Sequence, residues 1–293
     1  MTAHAVSRPS IAADLVSLTK PRLSSLVLAT TAGGIWLAPG SVTPLQAVVT
    51  LLATAGTVGA ANALNCHAER ESDRFMARTR NRPLPSGRME PSTALLFGLS
   101  LAAVSVPALA LASNLLTALL GLTALLSYVF VYTPMKSRTS AAMLVGAIPG
   151  ALPPLMGWTS VTGRLDLAGL VLFSILFLWQ IPHFIAIALF RKEEYAAAGL
   201  TSMPIERGDE SSRAQLVFYI VALLPVTLLP YQLHFAGPLY LYAAALLGLG
   251  FLAMGAWGFF KQLGKAWARQ CFLFSLVYLT GLFVALAVDG GAI

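Results

Sequence analysis

Long apolar stretches separated by short polar clusters organise this chain. Arg22 to Glu69 encloses 46 residues without a charge, enough for two membrane-crossing helices with a turn at Pro39-Gly40. Glu90 to Lys136 encloses 45, again two helices, turning at Ser113-Asn114. Arg138 to Arg164 leaves 25 and Asp166 to Arg191 leaves 24, one helix each. Arg213 to Lys261 encloses 47, two helices that turn between Tyr231 and Pro238, and Arg269 to Asp289 leaves 19, one more. The pattern predicts an all-α polytopic membrane protein with nine transmembrane helices.

Composition agrees. Hydrophobic residues make up 57% of the chain and charged residues 11%, where a water-soluble domain carries about 25% charged. That balance excludes disordered, collagen-like and soluble globular classes. Two cysteines, Cys66 and Cys271, cannot make a disulfide framework.

The formal charge of +7 has to be tested against topology before any polyanionic partner is invoked. With the N-terminus on the cytoplasmic side, 18 of the 19 Lys and Arg residues fall on inner segments and only Arg164 falls outside. Retention of positive charge on the cytoplasmic side explains such a split, so the basic balance predicts a lipid bilayer and no nucleic acid. The first twenty residues include His4, Arg8, Asp14 and Lys20 and lack the apolar core of a cleaved signal. The expected organisation is a cytoplasmic tail over 1–21, one transmembrane domain over 22–289 and a short outer tail over 290–293. The location expected is the bacterial cytoplasmic (inner) membrane. Two long inner loops, Glu69 to Pro91 and Arg191 to Arg213, hold nine of the 12 acidic residues, which points to an active face on the cytoplasmic side.

The first loop carries the clearest chemistry. Asn65, Glu69 and Asp73 follow at i, i+4 and i+8, so a helix continued through them stacks all three on one face. Arg70, Arg74 and Arg78 form a second column. Such a run is otherwise a solvated helix end laced with ion pairs. Yet Glu69 over Asp73 is a like-charge pair, costing about 0.3 kcal/mol, and two carboxylates with an amide oxygen suit Mg²⁺, which completes its shell with water and phosphate oxygens. The arginines are suited to phosphate charge.

Asn65-x3-Glu69-x3-Asp73, followed by Met76-Ala77-Arg78-Thr79-Arg80-Asn81-Arg82-Pro83-Leu84-Pro85-Ser86-Gly87, resembles the first signature of the UbiA family of intramembrane prenyltransferases. The resemblance extends through Thr19-Lys20-Pro21-Arg22, Tyr132-Thr133-Pro134-Met135-Lys136-Ser137-Arg138-Thr139, Gly146 to Trp158 and Phe274 to Leu279. The common family form has aspartates where this chain has Cys66 and Glu69; Glu69 keeps the carboxylate and Cys66 removes an oxygen. A second motif, Trp179-Gln180-Ile181-Pro182-His183-Phe184 leading to Arg191-Lys192-Glu193-Glu194-Tyr195, stands where relatives that prenylate aromatic acids carry a second aspartate cluster. This variant is similar to the haem-prenylating branch of the family, although that branch more often has Asn at the position of Ala142.

The resemblance implies a helical bundle around a central cavity. It implies Mg²⁺-dependent transfer of a farnesyl group from farnesyl diphosphate to a vinyl group of haem b, giving haem O and diphosphate, with haem b a substrate and not a retained cofactor. Asn65, Glu69 and Asp73 are then the expected metal ligands. Arg70, Arg74, Arg78, Lys136, Arg138, Arg191, Glu193, Glu194, Trp179, Lys20 and Arg22 are the expected substrate contacts, some on diphosphate and some on the haem propionates. A lone core histidine is usually satisfied by a neighbouring helix. An ionisable group within a span is nevertheless a functional candidate, and Pro182 is expected to open the helix toward the cavity, so His183 is expected at the acceptor. His67 either approaches the porphyrin or stands by. Haem A synthase and oxidase assembly factors are the partners such a product implies, and no segment is assigned to them. Trp36, Trp158, Trp257 and Trp267 are expected to anchor at the interfaces. Two other readings fit parts of the chain: prenylation of an aromatic quinone precursor, which would want the second aspartate cluster, and a transporter, which would want matched halves.

Overall fold

The structure, a computed structural model, describes residues 10–290. Arg8, His4 and the tail residues 291–293 therefore lie outside the described residues. A short helix α1 (Ile11–Leu18) precedes α2 (Pro21–Leu37), α3 (Pro44–Ala68), α4 (Pro91–Ala112), α5 (Leu115–Met135), α6 (Ala142–Thr162), α7 (Leu167–Phe190), α8 (Gly208–Gln232), α9 (Pro238–Phe260) and α10 (Lys265–Asp289). The turns fall where charge-free stretches were divided. Eight helices among the described residues are long and apolar enough to cross a membrane. α2, at 17 residues, lies at the lower end of the roughly 17–25 needed.

Local chemistry sets the helix starts. Pro21, Pro44, Pro91 and Pro238 open α2, α3, α4 and α9, where a missing N–H costs nothing. Thr43 and Gln46 form a reciprocal capping box on α3, and the Asn114 and Asp166 side chains accept from Thr117 N and Gly169 N at the starts of α5 and α7. Successive helices pack side by side, and α10 returns onto α2. Inside this ring of neighbours, α6 and α7 are the most enclosed: 72% and 61% of their apolar windows are buried, against 22% for α4 and α5. Gly34 of α2 and Gly157 of α6 let those two backbones touch, Gly34 against the Pro154 carbonyl and Gly157 against the Thr31 carbonyl. Small residues serve this purpose where lipid supplies no hydrophobic drive between helices.

Two expectations need correction here. Trp158 and Trp267 are buried at 2% and 3% exposure, not anchored at an interface, whereas Trp36 and Trp257 are exposed. Pro182 does not break α7, which runs unbroken from Leu167 to Phe190.

Candidate active site

α3 ends at Ala68 with Glu69 as its C-cap, and the chain then makes one 3₁₀ turn, Ser72–Phe75. The expected continuous column of Asn65, Glu69 and Asp73 is therefore interrupted, and so is the column of arginines. A single backbone bond, Asp73 N to Glu69 O at 2.9 Å, carries the helical register over the break. Each carboxylate takes a separate cation.

The cations come from elsewhere in the sequence. Lys136, just past α5, donates to Glu69 Oε1 at 2.7 Å, and Arg82 donates to Asp73 Oδ2 at 2.7 Å. Lys20 donates to Asn65 Oδ1 at 2.9 Å, while Asn65 Nδ2 donates to Thr133 Oγ1 at 3.1 Å. Asn65 and Asp73 are almost wholly buried. Lys20 holds a left-handed backbone, φ 51°, directly before Pro21, a strained choice for a lysine. Asn62 Nδ2 donates to the adjacent Thr19 carbonyl, so α3 pins this corner. Burial lowers the affinity of Lys20 for its proton, and the nearby Arg82 and Lys136 charges add to this. Burial also works against the Lys136 ammonium, but Tyr132, Tyr128 and Glu69 outweigh it and hold the group above the ordinary lysine range. The Lys136 ammonium lies 4.5 Å over the Tyr132 ring, which in turn packs on Gly146.

A cavity of about 630 Å³ opens beside these groups. Glu69, Glu71, His67, Ser72 and Lys136 line its polar end, and Leu95, Leu99, Val129 and Phe130 its apolar walls. Ala198 and Leu200 of the second inner loop close it, tied down by Thr201 N to the Lys136 carbonyl at 2.8 Å. The two loops do meet. Their acidic residues do not: Glu193 pairs with Lys265 at 2.7 Å, and Glu194 with Arg191 at 2.7 Å. Arg70 bonds back to the His67 carbonyl, Arg74 pairs with Glu71, and Arg22, Arg78 and Arg138 are exposed. His67 Nδ1 is 3.0 Å from the Pro91 carbonyl.

Sequence reasoning missed Arg82 and Thr133 as partners of Asp73 and Asn65. Both sit inside the motifs already singled out, but the helical spacing drew attention to Arg70, Arg74 and Arg78 instead. Among the described residues no three His, Cys, Asp or Glu side chains come together as a metal-holding group. The oxygens of Glu69, Asp73 and Asn65 nonetheless fit a hard cation, since Mg²⁺ needs only one or two protein carboxylates when substrate oxygens and water complete its shell.

His183 lies apart, at the α7–α10 contact. Its ring stacks on Trp179 with centroids 4.7 Å apart and meets Phe272 at 4.9 Å. Its Nδ1 is 2.7 Å from Ser275 Oγ, and Ser275 Oγ is 2.6 Å from the Phe272 carbonyl. A hydroxyl has one proton. With that proton given to the carbonyl, Nδ1–H must be the donor to Ser275, leaving Nε2 with a free lone pair. Trp179 Nε1 donates to the Ser275 carbonyl at 2.7 Å, so Trp179 and His183 are fastened to one residue of α10, while Gln180 between them donates to the Ala147 carbonyl of α6.

The sequence profile of the UbiA prenyltransferase family matches residues 27–277. The chain is 74% identical over 289 residues to protoheme IX farnesyltransferase of Myxococcus xanthus (strain DK1622), covering 99% of this chain and 98% of that one. Among solved structures it is similar to that of digeranylgeranylglyceryl phosphate synthase, with TM-score 0.81 at 19% identity over 94% of this chain and 97% of that one. It is also similar to a UbiA homolog from Archaeoglobus fulgidus bound to GPP and Mg²⁺, with TM-score 0.68 at 17% identity over 94% and 99%. The profile and the near-identical length of a close relative lead to one conclusion: this chain belongs to the UbiA prenyltransferase family.

Proposed function

We propose that this chain converts haem b to haem O by transferring a farnesyl group from farnesyl diphosphate to a porphyrin vinyl group. The observation that carries this is the full-length 74% identity to a protoheme IX farnesyltransferase, together with a cavity whose polar end carries the Glu69–Lys136 pair. The diphosphate is held at Lys136 and Lys20, and the isoprenoid tail runs along Leu95, Leu99, Val129 and Phe130. Glu69, Asp73 and Asn65 hold the divalent cation. When bound, that cation supplies stabilisation of the negative charge on the departing diphosphate. Arg82 keeps the Asp73 carboxylate turned inward, and the apolar walls exclude water until the allylic C–O bond breaks. The vinyl carbon then forms the new C–C bond, and water adds to the resulting cation to leave the hydroxyl and release a proton.

His183 is assigned to the acceptor, through its free Nε2 lone pair. Arg138 and Arg22, exposed on the same side as the site, are assigned to the haem propionates. The multi-pass fold places the protein in a membrane; the bacterial inner membrane, the cytoplasmic active face and the inner N-terminus are supported by the distribution of Lys and Arg. The test is expression in a host that makes haem b but no haem O, with extracted haems identified by mass spectrometry. Haem O should accumulate with the native chain and not with Glu69→Gln. Absence of haem O in both would overturn the reading.

A further inference from the structure

The three oxygen donors of the first motif are each occupied by a cation of the protein itself. Lys136 holds Glu69, Arg82 holds Asp73 and Lys20 holds Asn65. All three donors are buried or nearly so: the Glu69 side chain is 14% exposed and that of Asp73 2%. These are short, charge-assisted contacts in a region sheltered from water, where ions interact more strongly than on a surface.

The charge balance is the decisive point. Glu69 and Asp73 are already paired with Lys136 and Arg82, Lys20 adds a further basic group on Asn65, and Glu71 beside them is taken by Arg74, so the protein's own cations leave no unneutralised carboxylate. A divalent cation arriving alone has to displace an ammonium from Glu69 and then sit among Lys136, Lys20 and Arg82 with no new negative charge to offset it. A diphosphate ester, with about three negative charges near neutral pH, reverses this: together with a divalent cation it brings the site close to neutrality. It also gives the displaced ammoniums oxygens to bind. The ligand count points the same way. No third His, Cys, Asp or Glu groups with Glu69 and Asp73 as a metal-holding set among the described residues, and Glu71 beside them pairs with Arg74, so the metal's remaining ligands have to come from the substrate and water.

We propose that Lys136 and Lys20 are displaceable internal counter-ions, so that this site takes up the divalent cation and the diphosphate as a coupled pair and binds neither well alone. This rests on the reading of Glu69 and Asp73 as metal ligands. Lys136 is the principal switch because it bonds a carboxylate directly; Lys20, on a neutral amide oxygen, contributes less. Arg82 is not displaced. It bonds one oxygen of Asp73, Oδ2, and leaves Oδ1 for the metal. Coupling of this kind is reciprocal: whatever factor diphosphate adds to metal affinity, metal adds to diphosphate affinity.

The experiment uses the full-length protein purified in detergent, with Mn²⁺ as a paramagnetic probe and inorganic pyrophosphate as the diphosphate. Protein-bound Mn²⁺ is measured by electron paramagnetic resonance, with protein-free mixtures correcting for Mn²⁺–pyrophosphate complexes in solution. Mn²⁺ affinity should rise at least tenfold when pyrophosphate is present. Lys136→Met should bind Mn²⁺ alone about tenfold more tightly than the native chain and lose most of the pyrophosphate effect. Lys136→Arg, which keeps an ion pair with Glu69, should retain the native behaviour and controls for misfolding of the methionine variant. Equal Mn²⁺ affinity with and without pyrophosphate overturns the coupling and leaves the metal-site reading intact. Absence of bound Mn²⁺ under both conditions, or binding that Glu69→Gln does not weaken, overturns the metal-site reading and the coupling with it.

Discussion

His183 donates its Nδ1 proton to Ser275 Oγ across a 2.7 Å gap, joining α7 to α10 at a point 92 residues away in sequence. The serine is held in turn by its own bond to the Phe272 carbonyl, so the imidazole has a defined tautomer and orientation. A ring fixed in this way presents Nε2 as a ligand or acceptor without carrying charge. His183→Ala is expected to lose haem O formation while the purified variant still binds farnesyl diphosphate with native affinity. Ser275→Ala, which frees the ring without removing it, should lower haem O yield by about 10- to 100-fold. Native yield from His183→Ala would remove the residue from the acceptor site, and joint loss of diphosphate affinity would move it to the metal site.

Glu69→Gln and Asp73→Asn each remove one carboxylate while keeping the shape of the side chain. Turnover at saturating Mg²⁺ should fall by roughly 10²- to 10³-fold or more, with the protein still inserted and folded. Asn65→Ala is expected to be milder, because a neutral oxygen contributes less than a carboxylate. Steady-state rates in proteoliposomes, beside circular dichroism of the same preparations, check both halves of this expectation.

Among the described residues Arg82 is the only side-chain partner of the Asp73 carboxylate, which is itself nearly inaccessible: the Asp73 side chain is 2% exposed and that of Arg82 25%. Removing one member of such a pair strands the other charge. Arg82→Gln should destabilise the protein by about 3 kcal/mol, and adding Asp73→Asn should recover much of that loss. A double-mutant cycle on apparent unfolding midpoints in detergent measures the coupling; additive effects would show that the pair is not energetically linked.

The closest approach of α2 and α6 depends on Gly34 and Gly157. Gly157→Ala places a methyl group against the Thr31 carbonyl, and backbone atoms cannot turn aside as a side chain can. The helices must separate, at a cost of about 1–3 kcal/mol. The apparent unfolding midpoint of the variant should drop, while Gly163→Ala, where nothing lies within reach of an added Cβ, should show only the smaller penalty of its left-handed backbone.

Much of the helix layout was legible in the sequence, because a bilayer demands long uncharged segments and a backbone that satisfies its own hydrogen bonds. The turns at Pro39-Gly40, at Ser113-Asn114 and before Pro238 follow from charge spacing and from proline and asparagine at helix starts. The first motif was legible too, since carboxylates and arginines beside an apolar span have few uninteresting explanations. Which face each helix turns inward was not. In lipid, the outward and inward faces are equally apolar, so no hydrophobic stripe separates the buried Trp158 from the exposed Trp36. The ion pairs were hidden for a related reason: helical spacing nominates neighbours at i+4, but α3 stops at Ala68. Glu69 then found Lys136 and Asp73 found Arg82. Those pairings belong to the packing of α2, α3 and α5 around one buried amide, Asn65, whose two polar atoms bond Lys20 and Thr133. Only the tertiary structure could decide them, because a buried polar group takes whichever partner the fold brings within reach.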